Sequence, residues 1–425
     1  MKADVAVIGA GAIGAQTAVQ LAERGLDVVL IEPGSVGADH AASYGNAAWL
    51  SSHSVVPPAT PGVWKQLPGW LADPLGPLAV RPTYLPRSAG WLWRYLAAAS
   101  TEAKVAAIAR HLRSLLIDAP RLHAEVAERA GLSHLIDATS GLMHVWRDRE
   151  AFQGDAFGWK IRREVGIDWR ELDADEIAAM QPDLSRDYRY GFLVAEAGHC
   201  RNPGAYVAGL VAYAERLGAR RLEARALGFM QAGGRLTGVE TSQGTVACGA
   251  AVIAAGVRSG VLAALAGDRV PLESERGYHV TVEGEDVPGP AIPVMVGDRK
   301  VIVTKLAQGV RCAGQVEIGG IDAAPNWRRA EILRKHLAEI VPALDTKDAK
   351  VWMGHRPSTP DGIPVIGTAS GIAGVVHAFG HGHIGLVGSA RTGRLAAQLA
   401  AGETPEIELA GFSARRFARR AAEAA

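Results

Sequence analysis

The sequence predicts an α/β fold in which a nucleotide-binding domain on a parallel sheet is combined with a second domain on a mixed or antiparallel sheet. Three observations lead to this prediction. At 425 residues the chain is too long for one compact core. It opens with a short apolar strand, a glycine-rich turn and a helix. Alternating, strand-like segments such as "GYHVTV" and "KVIVTKL" occur far from this opening unit.

The composition is that of an ordinary globular protein. Lys plus Arg is 45 and Asp plus Glu is 44, a net charge of +1, and 48% of the residues are hydrophobic. The charge balance argues against a nucleic-acid binder, and the apolar content argues against disorder. Three scattered cysteines predict buried thiols in a reducing compartment, and no apolar stretch reaches the ~18 residues of a membrane span. The expected location is the cytoplasm.

The first element is a dinucleotide-binding unit. Val5–Ile8 is an apolar, β-branched run typical of a buried parallel strand, and Gly9, Gly11 and Gly14 follow as G-x-G-x-x-G. A helix is predicted over residues 13–24 and a second strand over Asp27–Ile31, which ends in Glu32. The predicted contacts to the dinucleotide in this unit are Gly9, Ala10, Gly11, Ala12, Ile13, Gly14, Glu32 and Pro33.

Each part of this unit has a physical reason. The first glycine permits the tight turn, the second lets the pyrophosphate approach the backbone, and the third lets the helix pack on its strand. The pyrophosphate meets free N–H groups at the positive helix end. Glu32 can accept hydrogen bonds from a ribose diol and would repel a 2′-phosphate, which disfavours NADP. The motif alone leaves NAD and FAD open.

Later segments narrow the choice. Residues 246–248 and 251–254 are predicted strands, followed by Ala255 and Gly256, and the late stretch "HRPSTPDGIPVIG" precedes the glycine turn "FGHGHIG". Together with the opening unit, they resemble the FAD-dependent oxidoreductases of the D-amino acid oxidase superfamily over residues 1–402. The matched positions of the late motif are Gly354, Arg356, Pro357, Thr359, Asp361, Gly362, Pro364, Ile366 and Gly367. The Pro- and Trp-rich stretch over residues 43–96, which includes Trp70, looks like that of the D-amino acid dehydrogenase branch.

The resemblance implies a Rossmann-type FAD-binding domain formed by residues 1–60, 200–268 and 352–425. A discontinuous substrate-binding domain would comprise residues 61–199 and 269–351, with an amphipathic helix whose apolar face carries Val105, Ile108 and Leu112. It also implies non-covalent FAD, since no attachment motif is matched. Further FAD contacts are expected from Asn46, Ala47, Leu227, Ala255, Gly256, Arg356, Gly380, His381, Gly382, His383 and Ile384.

The glycine turn admits a rival reading, because His377, His381 and His383 resemble a metal-ligand cluster. Carboxylate or cysteine partners are not found near them in the sequence, and alternating residues of a glycine turn need not converge. We therefore predict no metal site. The final helix is expected to begin near residues 383–386, and its positive end would stabilise the electron-rich reduced flavin. In this interpretation the backbone amides of His381 and His383 matter more than their imidazoles.

The substrate side centres on Arg356, which in the family holds the substrate carboxylate through two parallel hydrogen bonds. Tyr278 resembles the family's G-Y position, and strand alternation puts Arg276 on its face. His279 and His53 complete the candidate catalytic set.

The function expected from the resemblance is FAD-dependent oxidative deamination of D-amino acids, which yields an imine, then a 2-oxo acid and ammonia. The alternative within the family is oxidation of a secondary amine acid such as D-proline, a hydroxyproline isomer, sarcosine or glycine. An NAD-dependent dehydrogenase is a remote alternative. The expected partners are a small amino acid substrate and an electron acceptor, quinone or oxygen, and no nucleic acid. Peripheral contact with the inner face of the membrane stays open, since the tail over residues 413–425 carries four arginines and a phenylalanine.

Overall fold

The computed structural model describes residues 1–66, 69, 76 and 78–418. Trp70 and the end of the arginine-rich tail lie outside the described residues. The strands are β1 Val5–Ile8, β2 Val28–Ile31, β3 Trp49–Leu50, β4 Leu78–Val80, β5 Ile136–Asp137, β6 Leu142–Trp146, β7 Arg170–Leu172, β8 Tyr190–Val194, β9 Gly198–Cys200, β10 Arg220–Leu222, β11 Ala226–Ala232, β12 Arg235–Thr241, β13 Gly244–Ala247, β14 Ala250–Ile253, β15 Glu273–Glu283, β16 Val294–Val296, β17 Val301–Leu306, β18 Gly309–Ile318, β19 Lys350–Ser358, β20 Val365–Thr368 and β21 Val375–Phe379.

The helices are mostly short and alternate with the strands along the chain. In chain order they are α1 Ala12–Ala22, α2 Leu85–Ala98, α3 Glu102–Leu116, α4 Ala119–Ala130, α5 Arg149–Phe152, α6 Ala156–Glu164, α7 Ala174–Met180, α8 Pro203–Arg216, α9 Ser259–Leu265, α10 Arg328–Ile340 and α11 Ser389–Ala400. None of the described helices is long and apolar enough to cross a membrane.

The first sheet has the order β10-β2-β1-β14-β21-β20, and all of its strands are parallel except β20. β1, β2 and β14 are buried along their whole length, as near-continuous apolar strands covered on both faces should be. Because the strands are parallel, the carboxyl ends of β1, β14 and β21 meet at one edge. This edge, which we call the nucleotide edge, therefore brings together Gly9, Ala254 and Gly380.

The second sheet is mixed and mostly antiparallel, with the order β19-β15-β18-β17-β16-β6-β8-β7, and β4 pairs with β18. One face packs apolar side chains of β15, β17 and β18 against α10. The other face packs against α2, α3 and α6, and the predicted apolar stripe of α3 is buried there. Glu275, Gly277 and Arg356 share this second face because β15 and β19 pair in register. We call it the site face.

Two features differ from the expected elements. The final helix begins at Ser389, and the residues before it form a 3₁₀ turn over Gly382–Ile384, which follows the positive φ values of Gly380 and Gly382. Strand β19 runs from residue 350 to 358, so Arg356 belongs to the second sheet although it was assigned to the FAD-binding segment. We propose that the two sheets are the centres of the two domains.

Candidate active site

The nucleotide edge is built by close backbone packing around the glycine motif. Gly9 has a φ of 103°, and a Cβ placed on it would lie 2.4 Å from the carbonyl oxygen of Ala254. A Cβ on Gly14 would lie 1.8 Å from the carbonyl oxygen of Gly9. Only glycine fits at either position, since real Cβ atoms do not come this close to backbone. The turn is thereby locked between β1, α1 and β14.

Glu32 organises the same turn from the end of β2. Its carboxylate accepts hydrogen bonds from the backbone N–H of Ala10 at 2.8 Å and of Gly34 at 3.1 Å. Ser43 Oγ accepts from the N–H of Ala12 at 3.2 Å, and no sequence signal pointed to this serine. A carboxylate oxygen has two lone pairs, so Glu32 keeps acceptor capacity for a ribose diol.

The edge fits a dinucleotide. Among the described residues, a Cβ on Gly11 would meet only Ser43 Oγ, at 3.4 Å, and one on Gly256 would meet nothing within 4 Å. The free N–H groups of the α1 end face this cradle. Of the other predicted contacts, Ala10 and Ala12 are buried in the turn, Ile13 and Ala255 are half-buried, and Pro33 is exposed. Leu227 lies in β11 of a separate three-stranded sheet and is 54% exposed.

The predicted Asn46–Ala47 turn is fastened to the second sheet. Arg311 donates to the carbonyl oxygens of Tyr44 at 2.9 Å and Asn46 at 2.8 Å, and Thr304 Oγ1 donates to that of Ala47 at 3.0 Å. Burial lowers the pKa of Arg311 to about 10, so the guanidinium remains charged near neutral pH. Arg311 and Thr304 were not found from the sequence, because nothing local marks a strand residue as the anchor of a loop 257–267 residues away.

The glycine turn brings the nucleotide edge against the site face. Gly380 and Gly382 have φ values of 84° and 51°, which side chains rarely adopt, and His381 forms a bridge with Ser358 of β19. His381 Nε2 lies 2.9 Å from Thr392 Oγ1, which ties the turn to α11. Burial lowers the pKa of His381 to about 3, so its imidazole is neutral at working pH. Ile384, the last predicted contact here, is buried.

The three histidines of the turn have separate partners. His377, in β21 of the first sheet, has its Nε2 2.8 Å from Asp268 Oδ2. His383 has its Nε2 3.1 Å from Oε2 of Glu275, in β15 of the second sheet. Within the described parts of the chain, no group of three or more His, Cys, Asp or Glu side chains is placed to hold a metal ion. We expected the backbone amide of His383 to matter more than its imidazole, but the imidazole makes its own contact with Glu275.

Arg356 lies on the site face beside Glu275, its register partner on β15. Its Nη1 donates to the carbonyl oxygen of Gln315 at 3.1 Å, and its guanidinium covers Gly277, where a Cβ would lie 2.2 Å from Cζ. Burial lowers the pKa of Arg356, and the Glu275 carboxylate opposes that shift. The glycine is therefore required for the arginine to lie flat over β15.

The structure does not bring Arg276 and Tyr278 to Arg356. Both point to the opposite face of β15, where Tyr278 donates to Glu317 Oε2 at 2.6 Å and Arg276 Nη1 lies 3.1 Å from the same oxygen. Successive side chains of a strand alternate between faces, and Gly277 stands between these two residues. The pairing of β15 with β19 therefore places Arg276 and Tyr278 on one face of the second sheet and Arg356 on the other.

The two predicted catalytic histidines occupy different places. His279 is on the site face, stacked on Trp352 at 4.8 Å, with Nδ1 3.2 Å from the carbonyl oxygen of Gly45. His53 is buried among tryptophans, with Nε2 2.8 Å from His144 Nε2 of β6. Four strands separate β6 from β19 in the sheet. Burial lowers the pKa of both His279 and His53 well below the usual value, so both are neutral packing groups near neutral pH.

Helix α2 covers the site face at β15 and β19, and its role had no sequence signal. Trp91 Nε1 donates to the carbonyl oxygen of Ser358 at 3.2 Å, and Tyr95 stacks on Trp91 at 5.2 Å. Burial, with the nearby charge of Glu275, raises the pKa of Tyr95. Apolar spacing in α2 looks the same whether the helix covers a core or a substrate site.

Comparison with known proteins agrees with this geometry. The profile of the family described as "DAO: FAD dependent oxidoreductase" matches residues 4–399. A D-amino-acid oxidase of Bradyrhizobium diazoefficiens is 52% identical over 97% of this chain and 98% of its own, and a D-amino acid dehydrogenase of Rhizobium rhizogenes is 32% identical over 97% and 99%. Glycine oxidase from Geobacillus kaustophilus superposes with a TM-score of 0.73 at 23% identity, covering 98% of this chain and 99% of that one. L-proline dehydrogenase from P. horikoshii gives 0.71 at 19%, covering 98% of each chain. The two superpositions show a shared fold.

Proposed function

Because the chain belongs to the DAO family of FAD dependent oxidoreductases, we propose that it catalyses the FAD-dependent oxidation of D-amino acids. The full-length similarity to a D-amino-acid oxidase at 52% identity supports the substrate class. The observation that carries the proposal is the position of Arg356. Arg356 lies on the site face, and the Ser358–His381 bridge joins its strand to the glycine turn. A carboxylate bound to Arg356 would therefore be held beside the nucleotide edge.

FAD would be held by the groups that form the nucleotide edge. The turn at Gly9–Gly14 would take the pyrophosphate, Glu32 the ribose, and the loop at Asn46–Ala47 with the turn at Gly380–Ile384 the isoalloxazine ring. When bound, FAD supplies the electrophilic centre that accepts a hydride from the substrate. The protein contributes the relative placement of substrate and cofactor, which in favourable systems is worth up to about 7–11 kcal/mol of the barrier.

The residues of this chain orient the substrate rather than react with it. The Arg356 guanidinium can bind the carboxylate through two parallel N–H···O bonds, since among the described residues only its Nη1 has a partner. The substrate amine must lose its proton before the Cα–H bond breaks, because the nitrogen lone pair drives formation of the imine. The imine then hydrolyses to a 2-oxo acid and ammonia.

Anaerobic mixing of the purified holoenzyme with single amino acids tests the proposal through bleaching of the flavin absorbance. We expect bleaching by D-amino acids and none by their L-enantiomers. Bleaching only by D-proline, a hydroxyproline isomer, sarcosine or glycine would assign the enzyme to secondary or minimal amine acids instead. If no amino acid bleaches the flavin, the substrate proposal fails.

We further propose that oxygen or a membrane quinone reoxidises the enzyme, in the cytoplasm or at the inner face of the membrane. Consumption of oxygen during turnover would identify an oxidase. Turnover that depends on a soluble quinone analogue, together with co-sedimentation on anionic lipid vesicles, would identify a quinone-linked enzyme with peripheral membrane contact.

A further inference from the structure

Glu275 is a buried carboxylate within the proposed substrate site. Neither the sequence motifs nor the proposed function gives it a role. It is 3% exposed, lies on the site face and is the register partner of Arg356. Buried carboxylates are rare unless they are paired or functional. Its position puts one negative and one positive group on neighbouring strands, on the same face of the sheet.

The hydrogen bonds of Glu275 leave one of its oxygens free for a ligand. Oε2 accepts from the Ser358 hydroxyl at 2.6 Å and lies 3.1 Å from His383 Nε2. Within the described residues, no donor is bonded to Oε1. The carboxylate is therefore held at a fixed angle by one oxygen while the other can accept a new N–H group.

The neighbouring carboxylate Glu273 does not compete for this role. Both of its oxygens lie 3.2 Å from the Tyr84 hydroxyl, and Oε1 also accepts from the N–H of Ser274 at 2.8 Å. Burial raises the pKa of Glu273, and the charge of Glu275 raises it further. Glu273 is thus engaged elsewhere and resists ionisation.

The charged and titratable groups around Glu275 keep it ionised. Those that face it are His383 from the glycine turn, Arg356 from β19, Glu273 from its own strand and Tyr95 from α2. Burial alone would raise the pKa of Glu275, but the bonds from His383 and Ser358 and the charges of His383 and Arg356 lower it overall. Glu275 is therefore an anion near neutral pH.

Resting on the proposed function, we propose that Glu275, paired with His383, binds the α-ammonium group of the substrate. An amino acid in solution is a zwitterion, and Arg356 and Glu275 offer the matching pair of opposite charges. The carboxylate takes the positive end of the zwitterion while the guanidinium takes the negative end, and no proton is transferred to Glu275. His383, with Nε2 3.1 Å from Oε2, holds the carboxylate in place for this contact.

The test uses Glu275→Gln in the FAD-loaded protein and compares two ligands of opposite expectation. We expect the apparent Kd of the best D-amino acid of the panel at pH 7, measured by anaerobic flavin reduction, to rise about 10–150-fold, the effect of losing one charge-assisted hydrogen bond. The rising limb of its pH profile should move to lower pH, because the carboxylate that favours the ammonium form of the bound substrate has been removed. Binding of benzoate, a carboxylate without an amine, should tighten about tenfold, since a repelling charge has been removed.

Opposite effects on the two ligands cannot arise from a damaged site. If Glu275→Gln weakens benzoate as well as the amino acid, or changes neither the Kd of the amino acid nor the pH profile, the proposal is overturned. Should Glu275→Gln fail to retain FAD, His383→Gln takes its place and must still raise the Kd of the amino acid and shift the profile. An unchanged Kd and profile then overturn the proposal. Asp268→Asn is the matched control, since it removes another carboxylate bound to a histidine on the other sheet, and its profile should stay that of the parent protein.

These outcomes are separable from those of the proposed function. If no D-amino acid reduces the parent enzyme, the proposed function fails. The benzoate comparison still reports whether the Glu275 charge acts on a carboxylate bound at Arg356, and an unchanged benzoate affinity would overturn this inference on its own.

Discussion

Replacing Arg356 with lysine tests the centre of the proposed site, because Arg356→Lys keeps the charge and removes the planar fork. Nη1 is already engaged with the Gln315 carbonyl oxygen, so the carboxylate would use the remaining N–H groups, in two parallel bonds. A lysine ammonium reaches the carboxylate with one bond. Losing one charge-assisted hydrogen bond costs about 1.5–3 kcal/mol, which is a factor of about 10–150 in affinity.

Anaerobic stopped-flow reduction over a range of substrate concentrations measures this effect, because it separates the apparent Kd from the limiting rate. We expect the Kd to rise by about 10–150-fold, with a smaller change in the limiting rate, since the lost bond binds the ground state and the transition state alike. Arg276→Lys is the informative comparison, because it alters a buried arginine of β15 that is next to Glu275, the register partner of Arg356, but on the opposite face of the sheet. A Kd for Arg356→Lys within threefold of the parent value, or an equal rise in Arg276→Lys, would refute the assignment of Arg356.

Three other predictions concern the cofactor, the pH response and the thiols. Glu32→Ala leaves the N–H groups of Ala10 and Gly34 without their acceptor, so we expect about tenfold weaker FAD retention on gel filtration, measured by the ratio of flavin to protein absorbance. Undiminished retention would contradict the role of Glu32, and Glu23→Ala at the surface is the control. Burial lowers the pKa of His123 to about 4, below the value near 6.5 in the unfolded chain, so the unfolded state binds the proton first and stability falls as pH drops through this window. The free energy of unfolding should therefore fall by about 2 kcal/mol more between pH 6.5 and 5 in the parent than in His123→Gln, and parallel curves would show that His123 is not the group. Burial raises the pKa of Cys200, Cys248 and Cys312 to about 12, 11 and 12, so a thiol reagent should label none of the three in the native protein and all of them in denaturant; rapid native labelling would contradict their burial.

The nucleotide edge could be predicted because its determinants are local. The G-x-G-x-x-G turn, its flanking strand and helix and Glu32 all lie within the first 32 residues, and each glycine has a backbone reason that the sequence pattern already expresses. The strand β1 was placed without error. The final helix begins later than expected, since residues 382–384 form a 3₁₀ turn and residues 385–388 a further turn before it. All three cysteines are free and buried, as predicted.

The substrate side was less predictable because it depends on which face of a strand a residue occupies. Alternation correctly groups Arg276 with Tyr278, but only the register with β19 shows that Arg356 is on the other face, beside Glu275. Ser43, Tyr95 and Arg311 enter through contacts with segments distant in the chain, and a single sequence carries no mark of such contacts. The imidazole of His383 was passed over for the same reason, since its partner lies 108 residues earlier.

The short connection between β19 and β20 has a consequence for how this enzyme can change over evolution. Residues 359–364 join the strand that carries Arg356 to the edge strand of the cofactor sheet, and Arg416 clamps them through Asp361 and the Ile363 carbonyl oxygen. An insertion here would shift Arg356, the proposed carboxylate anchor, relative to the first sheet, so we expect the length of this segment to be under selection. Substitutions in α2, which contacts β19 through Trp91, would alter the cover of the proposed substrate site while the length of this connection stays the same.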